Sequence, residues 1–92
     1  ARSWFEGNEP FREQSAARNS ALQGAYLMLA ARSLGLDCGP MSGVDLAKVT
    51  EAFFADRPRY RADWICSIGY GDPDTIFDRS PRPEFGRFNE VI

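Results

Sequence analysis

The 92-residue sequence is 43% hydrophobic and 26% charged, and it carries a net charge of −2. This balance is typical of a globular domain, excludes a disordered chain, and gives no reason to expect a nucleic-acid partner. No apolar run is long enough to span a bilayer, and no apolar leader follows Arg2. We therefore expect a cytoplasmic protein with no membrane partner.

The sequence contains two cysteines, Cys38 and Cys66, and no histidine. The cysteines are too few and too far apart in sequence for a disulfide framework or a CxxC metal site, so we expect two buried free thiols. Without histidine, these residues offer no Ser-His, Cys-His or His-metal chemistry. The sequence therefore predicts no metal site, and it singles out no catalytic side chain.

The first predicted element is a helix over residues 11 to about 34, whose apolar residues recur at spacings of three and four. Asn8 is placed to cap it, Pro10 suits its first turn, and Gly35 is placed to end it in a left-handed conformation. The helix is rich in alanine and contains Gly24, so another group can approach its backbone closely. Two interpretations remain open: a core helix on a sheet, or a helix at a subunit interface or beside a flat ligand.

The segment LGLDCGPMSGVD, residues 34–45, follows this helix and is predicted to be a bend of nearly bare backbone between two helices. Either its glycines serve a turn that needs positive φ, or its backbone N–H groups face a ligand. It does not match a phosphate-binding loop. Asp45 is then predicted to cap a second helix, from Leu46 to about Phe54.

After an arginine-rich loop over residues 56–63, WICSIGYG is predicted to be a strand from Trp64 to Gly71. The three arginines of the loop suit a solvated surface. The strand is nearly continuous in apolar residues, which favours a position covered on both faces. Since one strand cannot make a sheet, we expect its neighbours to come from outside these residues.

The remaining residues are interrupted by prolines and arginines and are predicted to form an extended arm anchored by Phe77, Phe85 and Phe88. Within this arm, Arg79 and Arg82 lie in the motif RSPR. Two arginines in a proline-stiffened segment can bind a phosphate through forked, charge-assisted hydrogen bonds. The alternative is a pair of solvent-facing charges.

The order and spacing of GLDCGPMSGVD, IGYGD and RSPRPEF together resemble the nitroreductase family of FMN-dependent oxidoreductases. Within that family the sequence is most similar to the branch that contains malonic semialdehyde reductase. The resemblance covers the C-terminal half of the family's usual length, so residues 1–92 are expected to be the C-terminal half of a single domain. It implies an α+β fold with a sheet between helices, built as an intertwined homodimer with FMN at the interface.

The resemblance also implies six cofactor-binding residues: Pro40, Met41, Ser42, Gly43, Arg79 and Arg82. The backbone N–H groups of Ser42 and Gly43 would face N5 and O4 of the flavin, where donors tune the atom that exchanges hydride. The two arginines match the family's basic residues near the FMN phosphate. Two positions depart from the family pattern: Val44 replaces a common aromatic residue, and Pro83 replaces a leucine.

By the same resemblance, NAD(P)H delivers hydride to flavin N5, and the reduced flavin passes it to a small-molecule substrate. That substrate would be a small aldehyde such as malonic semialdehyde, a nitroaromatic compound or a quinone. Two alternatives stay open. One is a non-catalytic module that only binds flavin or dimerises; the other is an enzyme of the same fold with different chemistry, such as dehalogenation or oxidation of a peptide-borne ring.

Overall fold

A computed structural model describes residues 2–92. These residues form two α-helices and one two-stranded antiparallel sheet, an α+β arrangement. In chain order the elements are α1 (Glu9–Ser33), β1 (Asp37–Met41), α2 (Leu46–Phe54) and β2 (Ile65–Gly69). Single turns of 3₁₀ helix lie at Arg2–Trp4, Pro73–Thr75 and Phe85–Arg87.

Both ends of α1 confirm the sequence prediction. The Asn8 side chain accepts a hydrogen bond from the backbone N–H of Phe11 at 3.2 Å, and Pro10 lies in the first turn, where its missing N–H has no consequence. At the other end Gly35 has φ +81°, a left-handed conformation that stops the helix. The signals at Asn8 and Gly35 act within one helical turn, and both residues have the conformation or contact that they predict.

Strand β1 corrects two predictions. It lies inside the segment predicted to be a bend between helices, and it supplies β2 with a neighbour that was expected only from outside these residues. Its first residue, Asp37, pairs with Gly69 and its last, Met41, with Ile65. Gly39 and Pro40 have low strand propensity, so the local sequence gave little indication of a strand. Pairing with a distant partner overrides that local preference.

Strand β2 is shorter than predicted, at Ile65–Gly69 instead of Trp64–Gly71. Residues 2–92 leave Ser67 and Ile68 of this strand exposed, so the expectation that both of its faces are covered stays a prediction about the larger assembly. The apolar residues of a strand indicate which of its faces are buried in the complete sheet. Residues 2–92 provide only part of that covering.

Helix α1 packs against the chain at Gly24, where the indole ring of Trp64 lies directly on the helix backbone. A Cβ atom added to Gly24 would lie 2.1 Å from Cζ2 of Trp64, far inside van der Waals contact. Gly24 and Ala31 are the buried residues of α1. This contact supports the interpretation of α1 as a helix packed on a sheet, and it explains one of the small residues in the helix.

The described residues bury little apolar surface. Their radius of gyration is 17.5 Å, whereas a compact chain of this length has a value of about 12 Å. On α1, Tyr26 is 74% exposed and Leu29 67% exposed, so the second interpretation, an interface helix, stays open for this face. No helix within residues 2–92 combines the length and apolar character needed to cross a membrane.

The C-terminal arm is extended, as predicted, apart from two short 3₁₀ turns. Its phenylalanines do not pack on residues 2–92, where Phe77 is 96% exposed and Phe85 and Phe88 are also exposed, so their role as anchors stays a prediction. Aromatic residues in an arm indicate that it docks on a surface. Within the part of the chain that the structure describes, that surface is not present.

Candidate functional site

Four of the six predicted site residues lie together at the end of β1. Pro40 and Met41 are the last residues of the strand, and Ser42 and Gly43 begin the connection to α2. All four are exposed. The bare backbone that the sequence indicated is therefore presented on the surface of these residues and is not buried in a turn.

The backbone N–H groups of Ser42 and Gly43 are free donors. No atom of residues 2–92 accepts a hydrogen bond from either of them. Because both residues are exposed, these N–H groups are open to water or to a ligand. Two successive free N–H groups on one exposed segment therefore form a ready binding edge for an electronegative group.

Gly43 bears on the two explanations for the glycines of this segment, a turn that needs positive φ or a backbone that faces a ligand. Its φ is not positive, and no atom lies within 4 Å of the position that a Cβ would occupy. The contacts and backbone of the described residues thus give no reason for glycine here. Gly35 and Gly39 differ: Gly35 needs its positive φ, and a Cβ at Gly39 would lie 2.7 Å from Oγ of Ser67 across the sheet. Gly43 leaves open space in which a flat group could approach the backbone.

The far end of this segment is held by Asp45, the predicted cap of α2. Its Oδ1 accepts a hydrogen bond from the backbone N–H of Lys48 at 3.1 Å, and its Oδ2 lies 3.6 Å from Nζ of the same lysine. With β1 at one end and this cap at the other, Ser42 and Gly43 span a short connection between two fixed points.

Replacing Asp45 with alanine should destabilise the intact protein by about 1 kcal/mol, because the first turn of α2 then loses its capping acceptor. Asp45→Asn keeps a side-chain oxygen for the N–H of Lys48 and should lose only a few tenths of that value. Urea unfolding followed by circular dichroism measures both. Equal destabilisation by the two substitutions would contradict the capping role.

The structure does not bring Arg79 and Arg82 to the other four residues. Both lie on the exposed C-terminal arm, where the Arg82 guanidinium donates to the carbonyl of Ser80 at 3.0 Å. Neither arginine forms a hydrogen bond or ion pair with residues 40–43 within residues 2–92. Their predicted role at a phosphate therefore depends on where the arm docks.

A cavity of about 1040 Å³ lies elsewhere, between the first half of α1, the last residue of α2 and the 56–63 loop. Arg12, Glu13, Tyr60 and Arg61 are among its lining residues, and Arg61 forms an exposed ion pair with Glu13 across it. None of the six predicted site residues lines it.

The two cysteines are closer in the structure than their sequence separation suggests. The register places Cys38 opposite Ile68 and Cys66 opposite Pro40, so both thiols belong to the same face of the sheet. The Sγ atom of Cys38 lies 4.0 Å from the carbonyl oxygen of Met28 in α1. Both cysteines are free thiols, as predicted, but half-buried instead of buried. Partial burial and, secondarily, the neighbouring Cys66 raise the pKa of the Cys38 thiol.

When the rate of Cys38 alkylation by iodoacetamide is plotted against pH, its midpoint should lie above 9.0, the ordinary pKa of a thiol. Steric protection changes the limiting rate but not the inflection, so peptide mass spectrometry over a pH series separates the two effects. The Cys38 thiol holds its proton more tightly in the folded than in the unfolded protein. Its contribution to the free energy of unfolding is therefore present below pH 9.0 and lost as the pH rises above that value. In Cys66→Ala the inflection should move only part of the way back, and an inflection at or below 9.0 in the wild type contradicts the assignment.

Comparison with known proteins decides the family. The nitroreductase family model matches residues 2–71. The chain belongs to the nitroreductase family. The matched range contains β1, Ser42 and Gly43, and it ends before Arg79 and Arg82. The resemblance read from GLDCGPMSGVD and IGYGD is thereby confirmed.

Curated relatives carry consistent names. A "putative NADH dehydrogenase/NAD(P)H nitroreductase" of Polynucleobacter asymbioticus is 58% identical over 92 residues, covering 100% of this chain and 46% of the relative. Similarly named proteins of Burkholderia lata and Xanthomonas oryzae pv. oryzae are 60% and 58% identical over 85 residues, covering 92% of this chain and 43% of each relative. The chain thus spans about half the length of the nitroreductase-family relatives it matches.

Proposed function

We propose that this chain forms part of the cofactor site of an FMN-dependent oxidoreductase that uses NAD(P)H. The observation that carries the proposal is the pair of free N–H groups at Ser42 and Gly43, held between β1 and the cap of α2. Membership of the nitroreductase family and the names of the relatives support the same chemistry.

When bound, FMN supplies hydride acceptance and donation at its N5 atom. The N–H groups of Ser42 and Gly43 would donate to the ring edge that carries N5 and O4, where preorganised donors stabilise charge as it develops. Pro40 and Met41 would lie against the ring, and the open space at Gly43 would admit it. Because the donors belong to the backbone, their chemistry does not depend on the side chain at Ser42.

Arg79 and Arg82 are proposed to bind the FMN phosphate. Their guanidinium groups have no ion-pair partner among residues 2–92, so both are available to an anion. This assignment requires the C-terminal arm to dock near the phosphate end of the cofactor, away from the donors at Ser42 and Gly43.

A homodimer is the proposed assembly. Several large apolar side chains of α1 and of the arm are exposed, and an interface with a second copy would cover them. The intertwined dimer implied by the family resemblance would supply it. Sedimentation equilibrium of the intact protein measures this directly, and a monomer at micromolar concentration would overturn the assembly.

The proposed second substrate is a small aldehyde such as malonic semialdehyde, a nitroaromatic compound or a quinone. Nothing on residues 2–92 selects among these classes, because the four grouped site residues contribute backbone and one methionine. Steady-state assays of the intact protein against one member of each class, at fixed NADH or NADPH, rank them by kcat/KM.

The visible absorbance of the intact protein, purified without added cofactor, tests the proposed function. Flavin bands that NAD(P)H bleaches under nitrogen are the expected result. Flavin bands that NAD(P)H does not bleach would favour a flavin-binding module without this activity. A colourless protein that also fails to take up added FMN would overturn the proposal.

A further inference from the structure

The carboxylate of Asp37, the first residue of β1, joins three elements of the fold. One oxygen, Oδ1, forms an ion pair with Nη1 of Arg32 near the C-terminal end of α1. The other, Oδ2, accepts a hydrogen bond from the backbone N–H of Gly71, just beyond β2, at 2.8 Å. Nη1 of Arg32 also donates to the carbonyl oxygen of Leu36 at 3.2 Å. One side chain thus connects the ends of α1, β1 and β2.

Gly71 is fitted closely to this carboxylate. A Cβ added at Gly71 would lie 3.2 Å from Oδ2 of Asp37 and 3.0 Å from Cδ1 of Ile76. Both approaches are tighter than ordinary van der Waals contact, so a side chain here would disturb its neighbours. The glycine therefore lets the backbone N–H reach a charged acceptor, and hydrogen bonds to charged acceptors are the stronger kind.

The position of Asp37 at the start of β1 allows it to affect the orientation of the candidate site at the end of the same strand. Strand β1 contains five residues and is about 13 Å long, with Asp37 at one end and Pro40 and Met41 at the other. Its pairing with β2 sets the register, and within residues 2–92 no third strand adds to this short ladder. The direction of β1 relative to α1 depends on what holds its first residue, and Asp37 is that residue.

We propose that Asp37 is a positioning residue for the cofactor site. Through Arg32 and the N–H of Gly71 it holds the start of β1, and it thereby sets where the N–H groups of Ser42 and Gly43 stand relative to α1. This inference rests on the proposed function. Asp37 does not itself contact the cofactor, because it lies at the opposite end of the strand.

Three variants of the intact protein test the role: Asp37→Ala, Asp37→Asn and the matched control Asp56→Ala. Asp56 is exposed and has no hydrogen bond or ion pair with residues 2–92. Asn at position 37 retains an oxygen for the N–H of Gly71, but it replaces the oxygen that pairs with Arg32 by an NH2 group and so removes the ion pair. The measured quantities are the dissociation constant of FMN and the absorption maximum and midpoint potential of the bound flavin.

Asp37→Ala should raise the FMN dissociation constant about fivefold or more, since it removes a charged acceptor and misplaces donors that act over short distances. Asp37→Asn, which can keep the contact with Gly71 but not the ion pair with Arg32, should raise the constant less than Asp37→Ala does, and Asp56→Ala should leave it unchanged. The absorption maximum and potential should shift in Asp37→Ala. If Asp37→Ala only destabilised the fold, it would lower the fraction of folded protein and leave the absorption maximum and potential of the bound flavin unaltered.

The outcomes separate this role from the proposed function. If the wild-type protein does not bind FMN, the proposed function is overturned and the role of Asp37 with it. If the wild type binds FMN and Asp37→Ala binds it with the same affinity, spectrum and potential, only the positioning role is overturned. Loss of affinity with an unaltered spectrum and potential also overturns it, because that result describes simple destabilisation.

Discussion

Replacing Ser42 with proline should lower kcat/KM for NAD(P)H oxidation by the intact protein about a hundredfold, the typical effect of removing one preorganised donor. The proline ring deletes the backbone N–H that is proposed to face the flavin. The preceding residue, Met41, is in β1 and already extended, which is the conformation that a following proline requires. Stopped-flow reduction of the bound flavin by NAD(P)H measures the effect without interference from the second substrate.

Ser42→Ala is the matched control for this prediction. Alanine keeps the N–H and removes only the hydroxyl, so its reduction rate should stay within about twofold of the wild type, as expected for a group outside the donor set. A large loss in Ser42→Ala would assign the role to the side chain. Wild-type rates in Ser42→Pro would show that the N–H of Ser42 does not act on the flavin.

Replacing Gly24 with alanine should destabilise the intact protein, although alanine favours a helix over glycine by about 1 kcal/mol. The added Cβ would lie 2.1 Å from Cζ2 of Trp64, so the indole ring must move off the helix. Overpacking of this kind costs about 1–3 kcal/mol in a packed interior. The steric cost equals or exceeds the helical gain, and the midpoint of thermal unfolding should fall.

Two further variants test the cause of that loss. Gly86→Ala adds a Cβ where no atom lies within 4 Å and φ is not positive, so it should change stability by less than about 0.5 kcal/mol. In a Trp64→Leu background, Gly24→Ala should lose most of its penalty, because the ring that it displaces is absent. Stabilisation by Gly24→Ala in the wild-type background would show that Trp64 does not rest on the helix.

The two helices could be predicted because their signals are local. Asn8, Gly35 and Asp45 act on residues within one turn of themselves, and the structure places each where the sequence indicated. Strand β1 depends on Ile65–Gly69, more than twenty residues away, and Gly39 and Pro40 argue against a strand locally. A pattern that is set by a distant partner leaves little trace in its own segment.

The candidate site likewise has a part that the local sequence predicts and a part that depends on the fold. Residues 40–43 are adjacent in sequence, so their grouping was certain, and the structure adds that the N–H groups of Ser42 and Gly43 are free. The role of Asp37 was missed, because its acceptor function depends on the fold bringing Gly71 to it. A signal did exist: Gly71 is the second glycine of IGYGD, and its lack of a side chain is now explained by its close approach to Asp37. Arg79 and Arg82 stay a prediction, since their arm has no docking surface among residues 2–92.

The measurement that tests the central claim most directly is the response of individual backbone amides to FMN. In the intact protein, labelled with ¹⁵N at serine and glycine, the amide resonances of Ser42 and Gly43 should shift downfield on FMN titration, as expected for N–H groups that gain an acceptor. The resonance of Gly7, which precedes α1 and is not among the proposed site residues, should not move. Unshifted resonances of Ser42 and Gly43 at saturating FMN would contradict the account, since the free donors of this segment would then not be the ones that hold the cofactor.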